Sequence, residues 1–292
     1  MAETSAADAA TASVDRGALV RLAYRLLGTV EDAEDVVQEA HVRLLSARQA
    51  PDDAGAYLFR VVTNLAIDRL RHLRVQRRAY PGPWLPEPLP TADEPDADLD
   101  RADDLDTALL VLLERLSVTE RVAFVLREAC DLDFGEMAEV LGARADACRQ
   151  RYHRARRKLD GLRRPPTPSR QQRRLLERLK AAVMAGDRDR LTALLADDAV
   201  LLTDGGGRVS AAIRPVEEAV RIAQVLLHLA ARQALAEVTF EWRALNGGVG
   251  LLIREQGAAF ACVQLAGDRD GERIERLFVV RNPDKLGRLV AP

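Results

Sequence analysis

Arginines repeated along one face of a helix can neutralise a row of phosphates, and this chain carries two such faces. Over residues 53–78, at about 100° per residue, Leu58, Val61, Val62, Leu65 and Leu73 gather on one side. Arg60, Asn64, Arg71, Arg74 and Arg78 fall within one quadrant of the other, interrupted by Ile67 and offset by Asp68. The guanidinium groups suit phosphates and the Asn64 amide suits a base edge. The second face follows Gly142. There Cys148, Tyr152, Ala155, Leu159 and Leu162 recur every three or four residues as an apolar stripe. Arg149, Gln150, Arg151, His153, Arg154, Arg156, Arg157 and Lys158 are left outside it. An Arg-rich helix is also an ordinary solvated surface, so the elements around these rows have to decide between the two readings.

Around the second row, Ser117 and Glu120 fit a capping box, opening a helix whose apolar stripe is Val122, Val125, Leu126 and Ala129. After a break at residues 131–133, residues 134–142 read as a short helix. Met137, Ala138 and Leu141 face inward, and Gly142 is free to take a left-handed turn. Short helix, glycine turn and basic helix make a helix-turn-helix, whose second helix enters a major groove N-terminus first. Arg149, Gln150, Arg151 and Arg154 then approach the groove, and Arg156, Arg157 and Lys158 hold the backbone. Upstream, residues 15–78 are helical in pattern. Thr29 is placed to cap a helix with Glu31, Asp32, Glu34 and Asp35 near its start. Ala33, Val36, Val37, Ala40 and Leu44 form its inward stripe. Asp35, Gln38, Glu39 and Arg43 face outward, on residues alone a solvated surface.

The 292 residues suit two or three compact units. The formal charge of −2 conceals segregation: arginine concentrates at residues 60–78 and 149–164, acid at 93–106. Cys130, Cys148 and Cys262 fit neither a disulfide framework nor a zinc motif, which points to a reducing compartment, and Cys148 reads as core. The four histidines do not cluster, so no metal and no cofactor are expected. No apolar run approaches the roughly 20 residues that span a bilayer, and the first residues lack a signal-peptide pattern. The expectation is a soluble, cytoplasmic chain with no membrane partner.

The boundaries read as follows: a disordered leader at 1–14, a helical domain at 15–79, a linker at 80–106, a second helical domain at 107–162, a short linker at 163–169 and a third domain at 170–292. Residues 80–90, YPGPWLPEPLP, are too proline-dense for a helix and favour an extended tether. The third domain opens with two helical stretches. Strand-like runs follow at 199–203, 238–245, 249–255, 260–265 and 273–280, with one helix at about 216–231.

The two helical domains resemble the extracytoplasmic-function class of sigma factors. The resemblance rests on GTVEDAEDVVQE (28–39), VTNLAIDRLR (62–71), FGEMA (134–138) and RQRYHRAR (149–156), in that order. It implies that Asp35, Gln38, Glu39 and Arg43 contact core RNA polymerase. It also implies that Arg60, Asn64, Asp68, Arg71, Arg74 and Arg78 meet the melted −10 strand of promoter DNA, with Tyr57 and Phe59 as nearby aromatics. Arg149 to Lys158 become the −35 reader. WLPEP (84–88), DGGG (204–207) and NPDKL (282–286) resemble a subgroup with a fused SnoaL-like domain, an α+β cone that regulates the sigma activity.

The fold class expected is therefore multidomain: two all-α sigma domains, a region 2 bundle and a region 4 helix-turn-helix, followed by an α+β SnoaL-like cone. A large apolar side chain on a stiff tether should dock, so Trp84, Leu85 and Pro86 are expected against Asp204, Gly205, Gly206 and Gly207 and against Asn282, Pro283, Asp284, Lys285 and Leu286. Without the resemblance, residues 204–207 are simply a turn, and Pro283 ends a strand. The cone implies a pocket open to a small-molecule ligand. Asp204 and His228 are its noticeable polar groups, but His228 reads as a packed core residue and no catalysis is assigned. A monomer is expected. Two rivals stand beside this reading: a helix-turn-helix regulator with a ligand-binding domain, and a SnoaL-like isomerase or cyclase with a DNA-binding appendage.

Overall fold

The computed structural model describes residues 15–47, 49–92, 106–162, 166–233 and 237–289. The expected leader, most of the acidic run and residues 163–165 lie outside them. Two compact units divide the chain. One holds Met1–Arg78 and Leu112–Asp160, the other Ala79–Val111 and Gly161–Pro292.

In the first unit, α1 (Arg16–Leu27), α2 (Val30–Leu45) and α3 (Ala54–Arg78) pack around Leu22, Leu26, Val37, Ala40, Leu58 and Val62. Thr29 occupies the N-cap of α2, but its side chain makes no cap bond. Its hydroxyl donates instead to Asp32, a buried carboxylate that also takes the Arg69 guanidinium, so the expected Thr29 cap is corrected. On α3 the buried row is Leu58, Val62, Ala66 and Leu70, with Thr63 beside it; Val61, Leu65 and Leu73 are only half buried. The small Ala66 and Thr63 allow close helix approach, and the Thr63 hydroxyl is satisfied by donating to Phe59 O at 2.8 Å. A count of large apolar residues misses that.

The same unit contains α5 (Val118–Glu128), α6 (Phe134–Leu141) and α7 (Ala145–Leu159), while α4 (Thr107–Leu113) straddles the division between units. The Ser117–Glu120 capping box is present, and Asp133 with Glu136 makes a second one at α6. Gly142 takes φ 56° and closes α6. Cys148, Tyr152, Ala155 and Leu159 are buried along α7. Leu162 is not part of that helix, because the chain turns away at Asp160 (ψ 135°) and Gly161 (φ 72°).

A buried ionic group ties the three-helix bundle to the helices that follow. Arg121 Nη1 and Arg77 Nη1 both donate to Glu114 Oε1, the latter at 2.8 Å. Their second nitrogens donate to Arg25 O and Leu27 O at the end of α1. Arg121 is only 2% exposed. Burial would raise the Glu114 carboxyl, but the two guanidinium groups outweigh it and hold it below the usual range.

The second unit is built on a seven-stranded sheet: β1 (Pro90–Ala92), β2 (Leu195–Asp204), β3 (Val216–Glu217), β4 (Val238–Leu245), β5 (Gly248–Glu255), β6 (Ala258–Gly267) and β7 (Ile274–Val280). The order is β1-β4-β5-β6-β7-β2-β3, with β2 and β7 parallel and every other pair antiparallel. Helices α8 (Ser169–Met184), α9 (Arg188–Leu194) and α10 (Ala219–Gln233) join a core of Leu175, Leu179, Leu191 and Ile222 with Leu251, Val263 and Leu277 from the strands. A second core gathers Leu245, Leu252, Cys262, Phe278 and Val280 with Leu85, with Leu286 of the short α11 (Pro283–Leu286) and with Leu289. This is the α+β architecture expected for the third domain. His228 is a correction: expected in the core, it is exposed, because Ile222, Ala223 and Leu226 carry the inward face of α10 and His228 lies two residues past it.

The tether, expected as an extended linker with Trp84, Leu85 and Pro86 docked, lies within the second unit over residues 80–92, and its end adds a strand that was not expected. Leu85 is 0% exposed, Pro86 and Pro88 are buried, and Pro90–Ala92 pairs antiparallel with β4. Proline forbids helix, but the extended backbone it imposes suits a sheet edge, where a missing N–H is tolerated.

Candidate DNA-binding faces and the linker anchor

On α3, Arg60, Asn64, Asp68, Arg71 and Arg78 are exposed and Arg74 is half buried, so the expected polar quadrant faces solvent. Asp68 is engaged by Arg71 at 2.7 Å, and the Arg60 guanidinium lies 6.0 Å from the Tyr57 ring. On α2, Asp35, Gln38, Glu39 and Arg43 are exposed, with Arg43 held by Glu39 one turn away. Val42 and Leu45 project beside them at 55% and 58% exposure.

The capping boxes and the Gly142 turn set α7 across α5 and α6. Arg149, Gln150, Arg154, Arg156, Arg157 and Lys158 are exposed, whereas Arg151 is half buried. The basic row is not uniformly available. Lys158 donates to Glu120 at 2.7 Å, and Arg154 approaches the same carboxylate at 3.9 Å. Burial would raise the Glu120 carboxyl, but the hydrogen bonds from Lys158 and Ser117 outweigh it and hold it at about 2.

In the second unit the three remaining motifs converge on Asp204, whose side chain is fully buried. Oδ1 accepts from the Tyr80 hydroxyl at 2.5 Å and from Gly206 N at 3.1 Å. Oδ2 accepts from Leu85 N at 2.9 Å and from Lys285 Nζ at 2.7 Å. Two donors on each oxygen use the acceptor capacity of a carboxylate, which leaves it a structural group and a poor candidate base. Lys285 also donates to Leu85 O and lies 4.0 Å from the Trp84 ring centroid and 5.3 Å from that of Tyr80. Burial, with the Asp204 hydrogen bond second, pushes the Tyr80 hydroxyl well above its ordinary value.

The turn glycines are required here. A Cβ on Gly206 (φ 60°) would overlap the Asn282 side chain, and one on Gly207 (φ 70°) would stand 2.8 Å from Pro81 Cγ. Asn282 bonds Tyr80 and caps α11, with Pro283 at its first turn; Asp284 pairs with Arg208 at 3.3 Å, and Leu286 lies in the second core. Further along, Leu89 N donates to Asn246 Oδ1, Asn246 Nδ2 donates to Thr107 Oγ1, and Thr107 bonds Gln264. Tyr80, Asn246, Thr107 and Gln264 were not singled out by sequence. A tyrosine opening a proline run was the one available signal.

Two helical domains, one a bundle with an exposed Arg/Asn face and one a helix-turn-helix, define a sigma-70-type DNA-reading protein. Sigma-70 region 2 matches residues 15–76, and Sigma-70 region 4 matches residues 106–159. The chain is 36% identical over 285 residues, covering 92% of itself and 89% of the relative, to the ECF RNA polymerase sigma factor SigJ of Mycobacterium tuberculosis. The crystal structure of that SigJ superposes with a TM-score of 0.73 at 33% identity, covering 95% of this chain and 96% of that one. A SnoaL-like protein of unknown function from Burkholderia thailandensis matches 39% of this chain and 96% of its own, at 12% identity and a TM-score of 0.32. The chain belongs to the extracytoplasmic-function RNA polymerase sigma factors.

Proposed function

We propose that this sigma factor reads the −10 strand with Arg60, Asn64, Arg71, Arg74 and Arg78 and the −35 element with the outer face of α7. Core RNA polymerase is met through Asp35, Gln38, Glu39 and Arg43. The SnoaL-like domain regulates that activity by holding the linker between the two DNA-reading domains. The observation that carries this last reading is the burial of Leu85 between Asp204 and Lys285, with Pro90–Ala92 added to the sheet. Residues 79–106 would span about 90 Å if fully extended. Pinning residues 80–92 and Thr107 to the domain takes their length out of that span. The domain is read as regulatory and not catalytic, its pocket as a place for a small-molecule signal, and the free chain as a cytoplasmic monomer.

Run-off transcription with core polymerase tests this, comparing the full chain, Trp84→Ala, and a chain ending near Pro166. The variants are expected to change transcript yield in the same direction. Unchanged yield from both would sink the regulatory role, and no association of any form with core polymerase would sink the contact assignments.

A further inference from the structure

Phe134 is the first residue of α6 and half buried, outside the fully buried core of the first unit. Its neighbours are cations and rings. The Arg127 guanidinium lies 5.7 Å and the Arg149 guanidinium 5.3 Å from its ring centroid. The rings of Tyr152 and His153 are at 5.8 and 6.4 Å.

Three parts of the site are held by contacts of their own. The Asp133–Glu136 capping box fixes the start of α6. Tyr152 is buried and donates to Glu128, which fixes the ring that Phe134 leans on. Arg127 is held by Leu132 O at 2.8 Å. Arg149 projects into solvent. Besides the ring it meets Asp146 at 3.7 Å, an exposed pair on its own helix that contributes little. An arginine that reads a base must give up its rotamer freedom on docking, and a ring that already limits that freedom lowers the loss.

We propose that Phe134 is a positioning residue for −35 recognition, holding the Arg149 guanidinium ready at the N-terminal end of the reading helix. This rests on the proposed role of α7. Phe134 itself touches no DNA; it acts through Arg149.

The test is run-off transcription by core polymerase with the full chain, on a template library randomised across the −35 region. It compares wild type with Phe134→Leu, Phe134→Tyr, Arg149→Gln and the double variant Phe134→Leu/Arg149→Gln. Arg149→Gln should relax base preference at one position. Phe134→Leu should weaken preference at that same position about three- to fivefold, the size of an exposed cation–π contact, and Phe134→Tyr should restore it. The double variant should be no worse than Arg149→Gln alone. If Arg149→Gln relaxes a preference that Phe134→Leu leaves intact, or if Phe134→Leu lowers all templates equally and adds to Arg149→Gln, the positioning role is overturned while the reading of α7 stands. If Arg149→Gln changes no preference, the reading of Arg149 fails and the proposal with it.

Discussion

Lys285 and Asp204 form an ion pair that solvent hardly reaches, with side chains 8% and 0% exposed. Such a pair adds little over a well-packed apolar replacement, but breaking it strands a buried charge at a cost of about 3–5 kcal/mol. Lys285→Met and Asp204→Asn are each expected to destabilise the second unit by that amount, and the double variant by clearly less than the sum; urea denaturation followed by tryptophan fluorescence measures all three. Glu120 gives a different signature. Its carboxyl is depressed to about 2 in the folded chain, so its contribution is complete above the unfolded value near 4.5 and is lost as pH falls from there toward 2. Glu120→Gln keeps the side chain's length but should lower the melting temperature at neutral pH and flatten its acid limb over that window, the variant and wild type converging as pH approaches 2. Sequence held part of this. Arg121 follows Val118 by three residues and precedes Val125 by four, so it interrupts an apolar row, a signal of a buried cation. Nothing in the sequence shows that its partner is Glu114.

The elements with strong periodicity or a named cap are legible in the residues themselves: α2, α3, the α5 capping box, the Gly142 turn and strands β4 to β7 all fall close to their expected bounds. What escaped was conformation supplied from a distance. Residues 90–92 become a strand because β4 offers an unpaired edge, and no local property of Pro-Thr-Ala encodes that. His228 went outward because neighbouring apolar residues claimed the inner face of α10. The anchor itself was legible only through the motif resemblance, and Asn246, its second clasp, not at all. Asn246→Ala removes the acceptor for Leu89 N and the donor to Thr107, leaving partly buried polar groups unpaired at about 1–3 kcal/mol. Hydrogen exchange should then show residues 85–92 losing protection while α8 and the central strands keep theirs. Equal loss throughout the sheet would mean that Asn246 supports the domain and not the clasp.

The first unit joins the −10 and −35 readers through Glu114, which two arginines from opposite sides of the join share. That arrangement couples the two domains, and water returning to the group on separation would rehydrate three charges at once. Removing only the acid, in Glu114→Ala, leaves Arg77 and Arg121 facing each other, and should cost about 3–5 kcal/mol and split one melting transition of residues 15–160 into two. Replacing all three, as Arg77→Met, Glu114→Leu and Arg121→Met, should leave stability equal or higher, because apolar packing needs no desolvation of charge. The functional consequence runs the other way. If the two readers must part to reach elements spaced along a promoter, the apolar variant should fold well and transcribe worse, since its join has no charges for returning water to solvate. A triple variant that transcribes as well as wild type would show that the join stays closed on the polymerase, and that the spacing between the readers is set elsewhere in the chain.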